Sequence, residues 1–155
     1  MTAQTGIDPR GPRFGAAITG ILLLVTIALN LSGAVLASTI VFAYIVAVFA
    51  WGAIAGITRH PYGLLFKSLV RPRLTPPTEL EDPTPPTFAQ GVGFVITLVG
   101  LVLGLLGVPL AVVIAASAAF VAAFLNSVFA YCLGCQIYLL LVRAGILGRK
   151  GAATA

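Results

Sequence analysis

The sequence predicts an all-α integral membrane protein: four transmembrane helices arranged as two parallel-repeat hairpins, each followed by a short interfacial helix. Three observations carry this. The 155 residues are 59% hydrophobic and 8% charged, against about 25% charged in soluble domains, and the mean hydropathy is +1.09. Residues 14–58 and 83–142 form uncharged runs of 45 and 60 residues; a crossing takes about 20 apolar residues, so each run holds two. A polar motif also recurs 74 residues on, "DPRGPRF" from Asp8 and "DPTPPTF" from Asp82. The runs lack period-two alternation, which makes them helices rather than barrel strands, and a helix satisfies its own backbone groups in lipid. What lies outside them is too short for a soluble catalytic domain, so any activity sits in the helices or at their membrane-surface ends.

Residues 1–13 form an amino-terminal segment, and the first span runs from Phe14 to Leu31. Its apolar length exceeds the roughly 7–15 residues of a signal-peptide core, so it is expected to remain in the mature chain. Asn30-Leu31-Ser32-Gly33 gathers weak helix formers into a turn, and the second span follows from Val35 to Ile57. Repeat one is completed by the tail "HPYGLLFKSLVRPRL" from His60 and closes at residue 71. Residues 72–87 hold six prolines with Glu79, Glu81 and Asp82, which reads as an extended, semi-rigid strap. The third span starts near Phe88 and ends between Gly104 and Gly107, because Pro109 lacks an amide proton and favours the first turn of a new helix. The fourth reaches Tyr131. A second tail, "CLGCQIYLLLVRAGIL" from Cys132, completes repeat two at residue 147, and residues 148–155 are expected to be a flexible terminus. Each tail puts a Tyr, several Leu and one or more cations beyond a span, the pattern of a helix lying in the interface, with Tyr62 and Tyr138 at head-group depth.

All nine Lys and Arg residues flank the spans on one side: Arg10 and Arg13; Arg59, Lys67, Arg71 and Arg73; Arg143, Arg149 and Lys150. Basic residues in short loops resist translocation, which predicts cytoplasmic amino and carboxyl termini and a cytoplasmic central loop in the cell membrane. The net charge of +5 is thereby an orientation signal that also suits anionic membrane lipids, and no nucleic-acid partner is expected. From Asp8 to Ile40 the 74-residue shift gives 12 identities in 33 positions, and "LVR" at Leu69 overlies "LVR" at Leu141 once two residues are dropped. Each unit holds an even number of spans, so the two are parallel repeats about an axis along the membrane normal.

Cys132 and Cys135 are the only cysteines, and they form C-x-x-C at the end of span four. Were the span helical through both, they would share a face. A break at Gly134 would instead make Cys135 the start of the tail helix, where the dipole lowers its pKa and makes it the attacking thiolate. In a reducing cytoplasm a tight local disulfide suits a cycling pair better than a staple; the plainer reading is two small apolar residues in a bundle. His60, the only histidine, overlays Cys132 at an offset of 72 and Gly134 at 74. The duplication thus points to His60 as proton acceptor or thiolate stabiliser, with Arg59 beside it stabilising a thiolate or holding an anion. Zinc or copper would find only Cys132, Cys135 and His60, one ligand short of a closed zinc site, and haem has no attachment signal, so neither metal nor cofactor is expected. Asn126 is the strongly polar intramembrane residue, an interhelical hydrogen bonder or the wall of a path to the cysteines. No span carries an Asp, Glu, Lys or Arg, which argues against an energised pump. Gly52 with Gly56, and Gly100 with Gly104, are packing seams within the chain or between chains of a homo-oligomer.

"DPRGPRFG", "RHPYGLLF", "LEDPTPPTFAQ" and "CLGCQIYLLLVR" together resemble the bacterial membrane family described as domain of unknown function 4395, over nearly the whole chain. The resemblance implies a bacterial, actinobacterial-type cytoplasmic-membrane protein associated with thioredoxin-like and sulfurtransferase proteins, and it assigns no catalytic residue. Two functions follow as expectations: thiol redox or sulfur relay through Cys132 and Cys135 with such a soluble partner, or a non-catalytic scaffold whose tails and proline strap dock one. A passive conduit for a small sulfur species is a third.

Overall fold

A computed structural model describes residues 6–147; the expected flexible terminus at 148–155, with Arg149 and Lys150, lies outside the described residues. Six α-helices organise them: α1 (Arg10–Leu31), α2 (Val35–Ala55), α3 (Pro61–Leu65), α4 (Thr84–Leu105), α5 (Ala111–Phe129) and α6 (Leu133–Arg143). Helices α1, α2, α4 and α5 are 19 to 22 residues long and apolar enough to cross a membrane.

Helices α1 and α4 each begin four residues before the expected span, and the Asp-Pro leads are the reason. Pro9 and Pro83 already hold helical φ values of −60° and −71°. The carboxylate before each proline accepts the amide two residues on, Arg10 to Asp8 at 3.0 Å and Thr84 to Asp82 at 2.8 Å. Pro85 and Pro86 therefore fall in the first turn of α4, where no amide donor is needed. The proline strap contributes this turn to α4, and its irregular part runs only over 74–83.

The hairpin turns match at the same spacing. Gly33 and Gly107 have φ of +85° and +82°. After α1 the amide of Ala34 bonds the carbonyl of Leu29 at 2.9 Å and that of Gly33 bonds Asn30 at 3.1 Å; after α4, Val108 bonds Leu103 at 3.0 Å and Gly107 bonds Gly104 at 3.0 Å. This is the paired closure of a left-handed helix cap, which only glycine adopts without a Cβ penalty. A Cβ at either position would meet nothing within 4 Å, so substitution acts through the backbone alone. Gly33→Ala is expected to lower stability by about 1 kcal/mol, and adding Gly107→Ala to double that; thermal unfolding in detergent measures both.

Helix α1 packs along α2 and α5, and α4 packs along α5 and α2. Leu23, Phe42 and Ile45 interdigitate with Val112 and an alanine stripe, Ala115, Ala116, Ala119 and Ala123, to form the core. The expected seam at Gly100 lies here: a Cβ would overlap that of Ala115 and approach Phe42 Cε1 to 3.5 Å. Gly56 has another role, ending α2 at φ +84°. The outer faces are apolar and open, with Ile54 87%, Leu36 75% and Leu106 74% exposed. Such surface is compatible with lipid contact.

The tails also correspond. Helix α3 continues through a wide π turn at Phe66–Val70 and packs on α1, while α6 packs on α4. Phe14 meets Phe66 at a 5.8 Å centroid distance, and Phe88 meets Tyr138 at 5.5 Å. The leads touch each other too: Ile7 and Glu81, 74 residues apart, exchange both backbone hydrogen bonds at 2.9 Å as an antiparallel pair.

Candidate functional site at the tail end of the bundle

Helix α5 stops at Phe129 because Ala130 turns left-handed at φ +56°. The break precedes Cys132, so the two cysteines open α6 rather than close α5. Cys132 is the residue that caps α6, in an extended conformation, and its Sγ accepts the amide of Cys135 at 3.2 Å. Cys132 and Cys135 are joined as a disulfide, with Cα atoms 5.2 Å apart. Both are half-buried. Gly134 between them lets α6 close onto α4: a Cβ there would stand 2.5 Å from Cβ and 2.6 Å from Cα of Ala89.

His60 plays the equivalent part in the first tail. It precedes α3, is 4% exposed, and its Nδ1 accepts the amide of Tyr62 at 3.3 Å. Burial pushes its pKa from 6.5 down to about 4. The ring is therefore neutral at pH 7, and with Nδ1 occupied as acceptor the proton sits on Nε2. Space for the ring comes from Gly52, where a Cβ would lie 2.8 Å from His60 Cδ2 and from Gln90 Oε1. A neutral imidazole in this tautomer donates from Nε2, which suits it to stabilise a thiolate or carbonyl oxygen better than to take a proton.

Both caps face one cavity of about 740 Å³, which Arg13, Gln90, Asn126, His60 and the two cysteines line together. Arg59 is not among its lining residues; its side chain is exposed and its carbonyl accepts the Trp51 indole at 3.0 Å. The 3₁₀ turn Ile57–Arg59 ends just before His60, which is extended, so the two neighbours leave the backbone in different directions, His60 buried and Arg59 exposed. The guanidinium at the cavity is that of Arg13, whose Nη2 donates to the Ser127 carbonyl at 3.3 Å and whose buried Nε finds no partner among the described residues. Sequence reasoning passed over Arg13 as an orientation charge and named Asn126 as the strongly polar residue of the spans, overlooking Gln90 two residues into span three. The signal for Gln90 was present, an amide side chain in a run otherwise nearly free of strongly polar groups. Among the described residues, no three His, Cys, Asp or Glu side chains gather into a metal-binding cluster.

Four membrane-length helices, two short tails and a disulfide on the wall of an end cavity define a small all-helical membrane-type protein with one candidate redox pair. Residues 7–143 match the family model for a domain of unknown function, number 4395, and the chain belongs to that family. No curated protein and no solved structure matches the chain.

Proposed function

We propose that the protein is a cytoplasmic-membrane thiol–disulfide carrier that exchanges electrons with a soluble thioredoxin-like or sulfur-transfer partner through Cys132 and Cys135. The observation that carries this reading is the pairing of the cysteines at the amino terminus of α6, half-buried on a cavity wall. The reading assigns the attacking sulfur to Cys132 rather than to Cys135. An N-terminal cap position and a backbone amide donor favour charge on the Cys132 sulfur, and both stabilise a thiolate. The Cys132 thiolate attacks one sulfur of a partner disulfide, whose S–S bond breaks and releases the partner's other sulfur as thiolate. Cys135 then loses its proton and displaces the partner from the mixed disulfide, leaving Cys132 bonded to Cys135 and the partner fully reduced. His60 supports the charged sulfur as a neutral donor. The cytoplasmic assignment rests on the cations Arg10, Arg13, Arg59, Lys67, Arg71, Arg73 and Arg143, which the leads and tails carry.

The test compares Cys135→Ser with Cys132→Ser in purified full-length protein and in inverted vesicles, with a chromogenic aromatic disulfide as probe. The variant that keeps Cys132 is expected to form the mixed disulfide at least about tenfold faster, with an apparent thiol pKa well below about 8.5. Labelling is expected in inverted vesicles and not in intact cells. Equal, slow reaction of both variants overturns the reading. Partner capture that survives replacement of both cysteines but is lost when 74–83 is altered would support the scaffold reading, for which the exposed strap speaks.

A further inference from the structure

We propose that the end cavity is a binding site for a membrane-soluble quinone, which accepts the two electrons that the Cys132–Cys135 dithiol gives up as its disulfide forms. The inference rests on the thiol–disulfide reading above with its exchange run in reverse: a reduced partner's two thiols reduce the Cys132–Cys135 disulfide and become a disulfide themselves, and the quinone then reoxidises the pair. The cavity runs from the leads and tails down to Thr19, Phe49 and Ile96. Thr19 is five residues past Phe14, where the uncharged run begins, so at about 1.5 Å per residue the floor lies about 8 Å along the apolar part of α1, roughly a quarter of the hydrocarbon core. Small residues of α5, Ala118, Ala119 and Ala122, leave that lower part open. Its upper part carries Arg13, Gln90, His60 and Asn126 together with both sulfurs. A ligand that fits has a hydrogen-bond-accepting head and an apolar body.

Charge distinguishes the head group. Asp8, Glu81 and Asp82 line the same mouth. Asp8 is neutralised by Arg10 at 2.8 Å, but Glu81 and Asp82 are exposed and without an ion-pair partner among the described residues. Lys67 and Arg13 line the cavity as well, so its two free carboxylates and two cations offset one another, which suits a neutral carbonyl head better than a charged phosphate. Arg13, with donors left over after its one bond to Ser127, is placed to hold a carbonyl oxygen as it becomes an oxyanion. The reaction balances: two S–H bonds break, one S–S bond forms, and two electrons with two protons convert the quinone to hydroquinone. The oxidised product is the state in which the cysteines stand here.

Reduced full-length protein, mixed without oxygen with a short-tailed benzoquinone, reads out the proposal through disulfide formation and hydroquinone absorbance. The expected result is saturable oxidation with one hydroquinone per disulfide. Ala122→Phe, which fills the lower cavity, is expected to abolish saturation while exchanging with a soluble dithiol at the wild-type rate, which checks that it is folded. Arg13→Gln is expected to lower the limiting rate about tenfold, the loss of one charge-assisted hydrogen bond. Oxidation that rises linearly with quinone and is equal in wild type and Ala122→Phe overturns the site. So does a tightly held phospholipid that quinone fails to displace. Normal exchange with the soluble dithiol alongside no quinone oxidation overturns this inference alone and leaves the thiol reading standing; absence of both overturns both.

Discussion

Gly134→Val is expected to cost about 1–3 kcal/mol of stability and to erase the preference for reaction at Cys132. The first effect is steric. A side chain at this position meets the Cβ of Ala89 at 2.5 Å and its Cα at 2.6 Å, and a helix backbone cannot give way as the end of a flexible side chain can. Overpacking of this kind is relieved only by moving an element. The element free to move is α6, because α4 is held by α2 and α5 along its length. The second effect follows from the first. As α6 lifts, the Phe88–Tyr138 contact at 5.5 Å opens and the turn that aims the Cys135 amide at Cys132 Sγ loses its support. Unfolding midpoints in detergent and the rate ratio of the two single-cysteine variants measure the effects separately. Gly134→Ala should fall between wild type and valine, and Ala89→Gly should partly restore it. An unchanged midpoint for Gly134→Val would show that α6 does not close onto α4.

A comparable effect is expected from acid, and it should disappear in His60→Asn. The buried ring has a pKa of about 4 in the fold against 6.5 when exposed. Between those values the unfolded chain takes up a proton that the folded chain refuses, so stability is full above about pH 6.5, falls as pH drops, and levels off below about pH 4. At about 1.4 kcal/mol per pH unit the full loss is on the order of 3 kcal/mol. Asparagine keeps an acceptor at the cap of α3 but does not titrate, so its stability should be nearly flat across the window. The bond from Arg10 lowers the pKa of Asp8 below 3.8, which places the acid loss from that carboxylate below the histidine window. Unfolding midpoints at pH 7.5, 5.5 and 4.5 decide the matter, and identical slopes for wild type and His60→Asn would dismiss the neutral-histidine account.

The spans were legible because hydropathy and charge act over whole helices: an uncharged run of 45 residues admits two crossings and a turn, and Asn30 to Gly33 is where the turn falls. Helix starts were less legible, since a proline reads as a breaker until its place in the first turn is known; Pro85 and Pro86 were counted with the strap and belong to α4. The overlay of His60 on Cys132 anticipated that each would begin a tail helix. What the string could not convey is rotation about a helix axis. Arg59 is adjacent to His60 and faces away, whereas Arg13, more than forty positions earlier, reaches the cavity because α1 lies against α5. Likewise, the sequence left open whether span four ran helical through both cysteines or broke at Gly134; Ala130 turns the chain before either, and Gly134 serves a close approach.

On the reading of the two halves as copies of one unit, which we propose, the pairing of Ile7 with Glu81 has a consequence for ancestry. When residues at equivalent places in two copies of a unit exchange both their hydrogen bonds, the contact is isologous, the kind two identical protomers form across a dyad. A homodimer of single hairpins is bound by that dyad, and any side chain it gains on one protomer it gains on the other. Joined in one polypeptide by the segment that ends at Glu81, the halves escape that rule. One can keep an imidazole at the head of its tail helix while the other takes a pair of sulfurs there. The division of labour proposed for His60 and Cys132 would be a freedom that tandem fusion grants and symmetric assembly denies.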